Sequence, residues 1–143
     1  MNIRVWGVVE DRLIEVLAES AADGIRIVGL PEDRMRTTAD RVRAALVNSG
    51  MVPSAPSISI RLEPPLSTGP TSDLDLPLAL VALAHAGVVG AGLRWVMAAG
   101  RLGLDGAVYA EGLVGRITLA EVGESACQTL AVASEHVFEG DDR

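Results

Sequence analysis

Lysine is absent from this 143-residue sequence, and all 12 basic residues are arginines. The chain's own side chains therefore supply no Schiff base, no Ser-Lys dyad and no phosphate-loop lysine. Cysteine occurs once, at Cys127, which excludes an internal disulfide framework and a cysteine-cluster zinc site. A reducing, cytoplasmic setting is the expectation. Aromatic residues make up only 3% of a chain that is 49% hydrophobic, so its core is built from Ala, Val, Leu and Ile, as α/β packing allows. No apolar run reaches about 18 residues and no basic, apolar leader opens the chain, so neither membrane spanning nor export is expected. The length suits one domain over residues 1–143. A net charge of −7 argues against nucleic-acid binding by the surface as a whole and leaves only a local arginine patch for that purpose.

What is present reads as alternating strands and helices. Arg4 to Val9 and Leu13 to Leu17 read as strands joined by a turn at Glu10-Asp11, and Ile25 to Val28 as a strand stopped by Gly29-Leu30-Pro31. Met35, Ala39, Val42 and Leu46 follow helical spacing, with Thr37 or Thr38 as the expected cap and Asn48-Ser49-Gly50 as the end. Arg34 and Arg41, like Arg36 and Arg43, recur seven residues apart, so these arginines are expected on the outer face of that helix, with Asp40 pairing Arg36. Ser57 to Leu62 alternates as a half-buried strand, Leu76 to Ala86 reads as a helix ended by Gly87, and Trp95 to Ala99 as a buried strand. Asp105-Gly106 predicts an antiparallel hairpin of 101–104 with 107–111. Beyond it, 117–122 is expected as a strand, 124–134 as a helix and 139–143 as a frayed tail.

The stretch Ser67-Thr68-Gly69-Pro70-Thr71-Ser72-Asp73-Leu74-Asp75 places hydroxyls and two carboxylates before an apolar helix. Backbone amides at a helix start favour anions, but Asp73 and Asp75 repel phosphate, and as Mg²⁺ ligands they supply only a weak, mostly hydrated site. The simpler reading is a capped helix start. In it Asp75 or Ser72 accepts from the first helical amides, Pro77 sits in the first turn and Asp73 complements the dipole.

Taken in order, Gly24 to Glu32, Asp40 to Gly50, Ile58 to Leu62, Asp75-Leu76-Pro77-Leu78-Ala79-Leu80 and Gly100-Arg101-Leu102-Gly103-Leu104-Asp105-Gly106 resemble the N-terminal domain of the magnesium-chelatase-like, competence-related AAA+ proteins, over about residues 8 to 113. The resemblance implies an α/β two-layer sandwich, a mixed sheet with helices, similar in fold to the Lon proteolytic domain and the GHMP kinases. In that family the domain precedes an AAA+ ATPase module with a phosphate loop, and this sequence contains no Gly-x-x-x-x-Gly-Lys stretch. In the Lon-like relatives a serine before the helix is the nucleophile and a later lysine its base. Aligning on Asp75-Leu76-Pro77 puts Asp73 at the serine position, whereas aligning on Gly69-Pro70 puts Thr71 there and requires two inserted residues. The lysine position falls near Val114.

An unactivated hydroxyl is a poor nucleophile, so neither Thr71 nor Ser72 is expected to act as one. His85 and His136 lie too far apart to suggest a metal pair, Cys127, Trp6 and Trp95 read as packing residues, and Glu111 lacks an acid-base partner. The expectation is a noncatalytic accessory domain without cofactor or metal. Its partner is expected to be a protein, an AAA+ module or further copies of itself, met through Arg34, Arg36, Arg41 and Arg43. DNA binding by the same arginines is the alternative, and a residual Lon-like hydrolase the third reading.

Overall fold

Strand alternation determines which side of the sheet is dry. The computed structural model describes residues 3–9, 12–54, 56–66, 71–88, 97–109 and 117–118. Within them β1 (Ile3–Val9) and β2 (Arg12–Ser20) pair antiparallel, β2 pairs antiparallel with β4 (Ile58–Glu63), β4 lies parallel to β3 (Ile25–Val28), and β1 lies parallel to β5 (Met97–Ala98). The order β3-β4-β2-β1-β5 makes one mixed sheet. Register aligns Val5 with Val16, Val16 with Leu62, Ala18 with Ile60 and Ile27 with Ile60, so one face is continuously aliphatic and buried. A slip of one residue in any pair would turn that row to solvent. The opposite face carries the ion pairs Arg4–Glu15 and Arg61–Glu63, with the Arg4 guanidinium 5.8 Å from the ring centre of half-buried Trp6.

Among the described residues two helices lie against the sheet, which makes the α/β two-layer arrangement. Helix α1 (Glu32–Asn48) connects the parallel neighbours β3 and β4 and buries Thr38, Ala39, Val42, Ala45 and Leu46. It starts several residues earlier than the periodicity predicts. Pro31 stands at its N-cap, Arg34 and Met35 donate backbone bonds to the Pro31 carbonyl, and Glu32 and Asp33 complement the dipole of the first turn. Thr38 is thus interior packing rather than a cap. The helix ends as expected at Ser49-Gly50, where Gly50 takes a φ of 79°.

Helix α2 (Asp75–His85) follows a single 3-10 turn, Ser72–Leu74. Every residue from Asp75 to Ala84 is buried, the signature of a helix enclosed on all sides rather than of an amphipathic surface helix. Beneath it lie β1 and β2, beside it α1, and over it β6 (Arg101–Leu102). Strand β6 pairs antiparallel with β7 (Ala107–Tyr109), which pairs with β8 (Ile117–Thr118), so the hairpin expected around Asp105-Gly106 is present. The expected helix at 124–134 and tail at 139–143 lie outside the described residues, as do Trp95, Glu111, Val114, Cys127 and His136. Among the described residues no helix is long and apolar enough to cross a membrane.

Candidate functional site

The start of α2 packs closely on the sheet because β1 has no side chain at Gly7. A Cβ built on Gly7 would sit 2.7 Å from Leu74 Cδ2 and 3.2 Å from Pro77 Cγ, closer than packed carbons tolerate. On its other side the connection from β5 to β6 brackets the same turn. The Gly100 amide donates to the Asp73 carbonyl at 2.9 Å, and the Leu76 amide donates to the Gly100 carbonyl at 2.9 Å. One of the free amides of the helix start is therefore already satisfied within the chain.

Asp75, the first residue of α2, is fully buried. Its carboxylate does not cap its own helix, contrary to the simple reading of the sequence; Leu74 occupies the N-cap position and no side chain caps it. Instead Arg41 of α1 donates from Nε to Oδ2 at 2.7 Å and from Nη2 to Oδ1 at 2.9 Å, and the Leu102 amide of β6 donates to Oδ2 at 3.1 Å. Three elements far apart in the chain thus meet at one carboxylate. Burial pushes the Asp75 carboxyl above its ordinary range, opposed by the hydrogen bonds and charge of Arg41, by the Leu102 amide and by the charge of Arg101. The Arg41 guanidinium is held more firmly protonated by its hydrogen bonds to Asp75, with partial burial acting the other way.

Arg41 therefore departs from the arginine face on which its spacing placed it. Arg36 and Arg43 are exposed on α1 and Arg34 is half-buried, so the four arginines do not form one open cluster. Arg43, rather than Arg36, pairs with Asp40, at 2.9 Å and one turn away. The two aspartates that appear to share a loop are also separated, with Asp73 exposed and Asp75 enclosed. Among the described residues no three His, Cys, Asp or Glu side chains come together as a metal site. Thr71 is buried, and its carbonyl accepts from the Leu74 amide, closing the 3-10 turn. His85 is half-buried at the far end of α2, with Nε2 3.5 Å from Ser20 Oγ.

A match between Arg41 and a carboxylate thirty-four residues on has no local signal in the sequence. The cue available was Asp75 itself, an acid followed without a break by apolar residues, which a surface cap does not require.

Comparison with known proteins adds a family. The family described as subunit ChlI of Mg-chelatase matches residues 14–136, a span that includes both Arg41 and Asp75. The uncharacterized protein YifB of Salmonella typhimurium (strain LT2) is 34% identical over 127 residues, which are 88% of this chain and 25% of that protein. The uncharacterized protein YifB of Escherichia coli (strain K12) is 38% identical over 71 residues, 50% of this chain and 14% of that protein. The chain thus spans about a quarter of the length of the Salmonella relative it matches.

Proposed function

We propose that this chain, which belongs to the family of the ChlI subunit of magnesium chelatase, is a noncatalytic accessory domain that acts by binding protein, in company with an AAA+ ATPase module, in the cytoplasm. The observation that carries this reading is the Arg41–Asp75 pair. Two residues beyond Asp73, which the alignment on Asp75-Leu76-Pro77 sets at the nucleophile position of the Lon-like relatives, this chain turns the Asp75 carboxylate inward and binds both of its oxygens to α1 and one of them also to β6. Such a group positions elements and offers nothing to a substrate. The sequence also lacks the lysine needed to activate Thr71 or Ser72, and an unactivated hydroxyl at neutral pH is a poor nucleophile. Burial of Thr71 further weighs against a residual hydrolase.

Nucleic-acid binding through α1 is the weaker reading. The helix carries Glu32, Asp33 and Asp40 among its arginines, Arg41 is committed to Asp75, and Arg43 to Asp40. A phosphate backbone needs a row of uncompensated cations.

The test is to identify the native species in its source cells with an antibody to this domain. An AAA+ module in the same polypeptide, or co-purifying with a 14.9 kDa species, agrees with the proposal. A 14.9 kDa species that purifies without an ATPase and turns over a peptide or ester substrate overturns it.

A further inference from the structure

The dipeptide Asp-Gly occurs twice in the chain, at Asp23-Gly24 and at Asp105-Gly106. It is the aspartyl sequence most open to attack by the main chain on its own side chain, because glycine sets no Cβ beside the attacking nitrogen. The glycine nitrogen bonds to the aspartate Cγ and the Cγ–O bond breaks. The oxygen leaves as water with the amide proton and the carboxyl proton, which closes a succinimide ring. Water then opens the ring at either carbonyl. Opening at Cγ restores aspartate. Opening at the backbone carbonyl carbon breaks its bond to nitrogen and gives isoaspartate, in which the main chain runs through Cγ and the old backbone carbon is a free carboxylate. The product keeps the original mass and has one more carbon in its main chain.

The fold treats the two dipeptides differently. At Asp105-Gly106 the attacking nitrogen is engaged, since the Gly106 amide donates to the Gly103 carbonyl at 3.0 Å. The Asp105 carboxylate is engaged too, with Oδ1 accepting from the Ala107 amide at 3.0 Å in an Asx turn. Asn48 Nδ2 of α1 donates to the Leu104 carbonyl at 2.9 Å, and Gly106 is buried, with an added Cβ only 3.0 Å from Ser49 Cβ. Ring closure there must break these bonds and turn the nitrogen against α1.

Asp23-Gly24, in the connection from β2 to β3, has no such restraint. Both residues are exposed, nothing lies within 4 Å of a Cβ built on Gly24, and among the described residues the Gly24 N–H donates to no backbone carbonyl. Only the Gly24 carbonyl is held, by the Ile58 amide at 3.0 Å.

We infer that Asp23-Gly24 is a site of spontaneous isoaspartate formation in the folded protein, and that the bonds of its turn protect Asp105-Gly106 from the same reaction. The modification has a structural consequence. The bond from Ile58 to the Gly24 carbonyl stands at the start of the parallel pair β3 and β4, and an added main-chain carbon at position 23 draws that carbonyl out of register. The edge strand β3 is thereby loosened.

The experiment incubates the full polypeptide, as it occurs in its source cells, at neutral pH with and without urea. Isoaspartate is measured at each position by resistance of the bond to an aspartate-specific endoproteinase, and by methyl transfer from an isoaspartate-specific carboxyl methyltransferase. In the folded protein, formation at position 23 should exceed that at 105 by about tenfold or more, the ratio set by the cost of opening the turn. In urea the two rates should converge. Asn48→Ala, a change at an exposed side chain, should raise the rate at 105 about two- to tenfold and leave that at 23 unchanged. Equal rates in the folded protein, or a faster rate at 105, overturn the inference. A ratio in urea as large as in the folded protein overturns it as well, because the difference then belongs to the neighbouring residues and not to the fold. An Asn48→Ala rate at 105 equal to that of the unmodified protein overturns the protection by the turn.

Discussion

Arg41 holds both carboxylate oxygens of Asp75, at 2.7 and 2.9 Å, across the gap between α1 and the first turn of α2. The two partners are unequal. Asp75 is wholly enclosed, whereas a quarter of the Arg41 side chain still meets solvent (25%).

That inequality predicts an asymmetric response to truncation. Arg41→Ala leaves a buried carboxylate with only the Leu102 amide and should cost about 3–5 kcal/mol. Asp75→Ala should cost less, because the freed guanidinium can turn outward to water. Arg41→Lys should recover only part of the loss, since an ammonium cannot match two oxygens at once. Urea unfolding of the three variants and of the double alanine variant measures both the order and the coupling. Equal costs for the two single alanine variants would contradict the burial difference.

Proton linkage gives a second expectation. Burial raises the folded-state pKa of Asp75 above its reference of 3.8. The folded chain then binds that proton more tightly than the unfolded chain. Its contribution to stability is complete below the unfolded value and is lost as pH rises through the raised folded one. Asp75→Asn cannot titrate at this position, so the stability of the unmodified protein minus that of the variant should fall as pH rises from below the reference value of 3.8 through the raised folded one. Urea titrations at successive pH values test the sign. A difference that grows with pH would mean that attraction by Arg41, rather than burial, governs the carboxyl.

Much of the sheet was legible because alternation at Ile58, Ile60 and Leu62 and at Ile14 and Val16 is a period-two signal that burial then enforces. Asp105-Gly106 likewise carried its turn in two residues. The start of α1 was not legible in the same way. Glu32 and Asp33 look like loop residues, and they join the helix because acids in a first turn meet its dipole, which left Thr38 free to be packed. The role of Arg41 was hidden for a different reason. Helical spacing ranks Arg34, Arg36, Arg41 and Arg43 alike, and only the arrival of α2 beside α1 singles out one of them.

The exposed arginines left on α1 should contribute little to folding. Arg43 and Asp40 are both more than half exposed, and such pairs contribute about 0–1 kcal/mol. Arg36→Glu combined with Arg43→Glu should therefore leave the unfolding midpoint nearly unchanged. If α1 is not a phosphate-binding surface, the same variant should also bind a DNA duplex no differently from the unmodified chain in a mobility-shift assay at low ionic strength. A shift seen with the unmodified chain and lost in the variant would restore the nucleic-acid reading.

Gly7 and Gly106 test whether the two sides of this arrangement are set by close approach. Gly7→Ala places a methyl 2.7 Å from Leu74 Cδ2 beneath the start of α2, where overpacking costs about 1–3 kcal/mol. Gly106→Ala forces a side chain into a φ of 92° and against Ser49, at a similar cost of about 1–3 kcal/mol. Their consequences should differ in place. The first change lies under Asp75 and should disturb amide exchange at Leu102, which donates to that carboxylate, together with the α2 start. The second should loosen the bond from Asn48 to Leu104 and raise exchange in the hairpin, while the Arg41–Asp75 pair stays closed. Hydrogen exchange read by mass spectrometry resolves the two. If Gly106→Ala opens the α2 start as much as Gly7→Ala does, the hairpin tip and the ion pair form one cooperative unit.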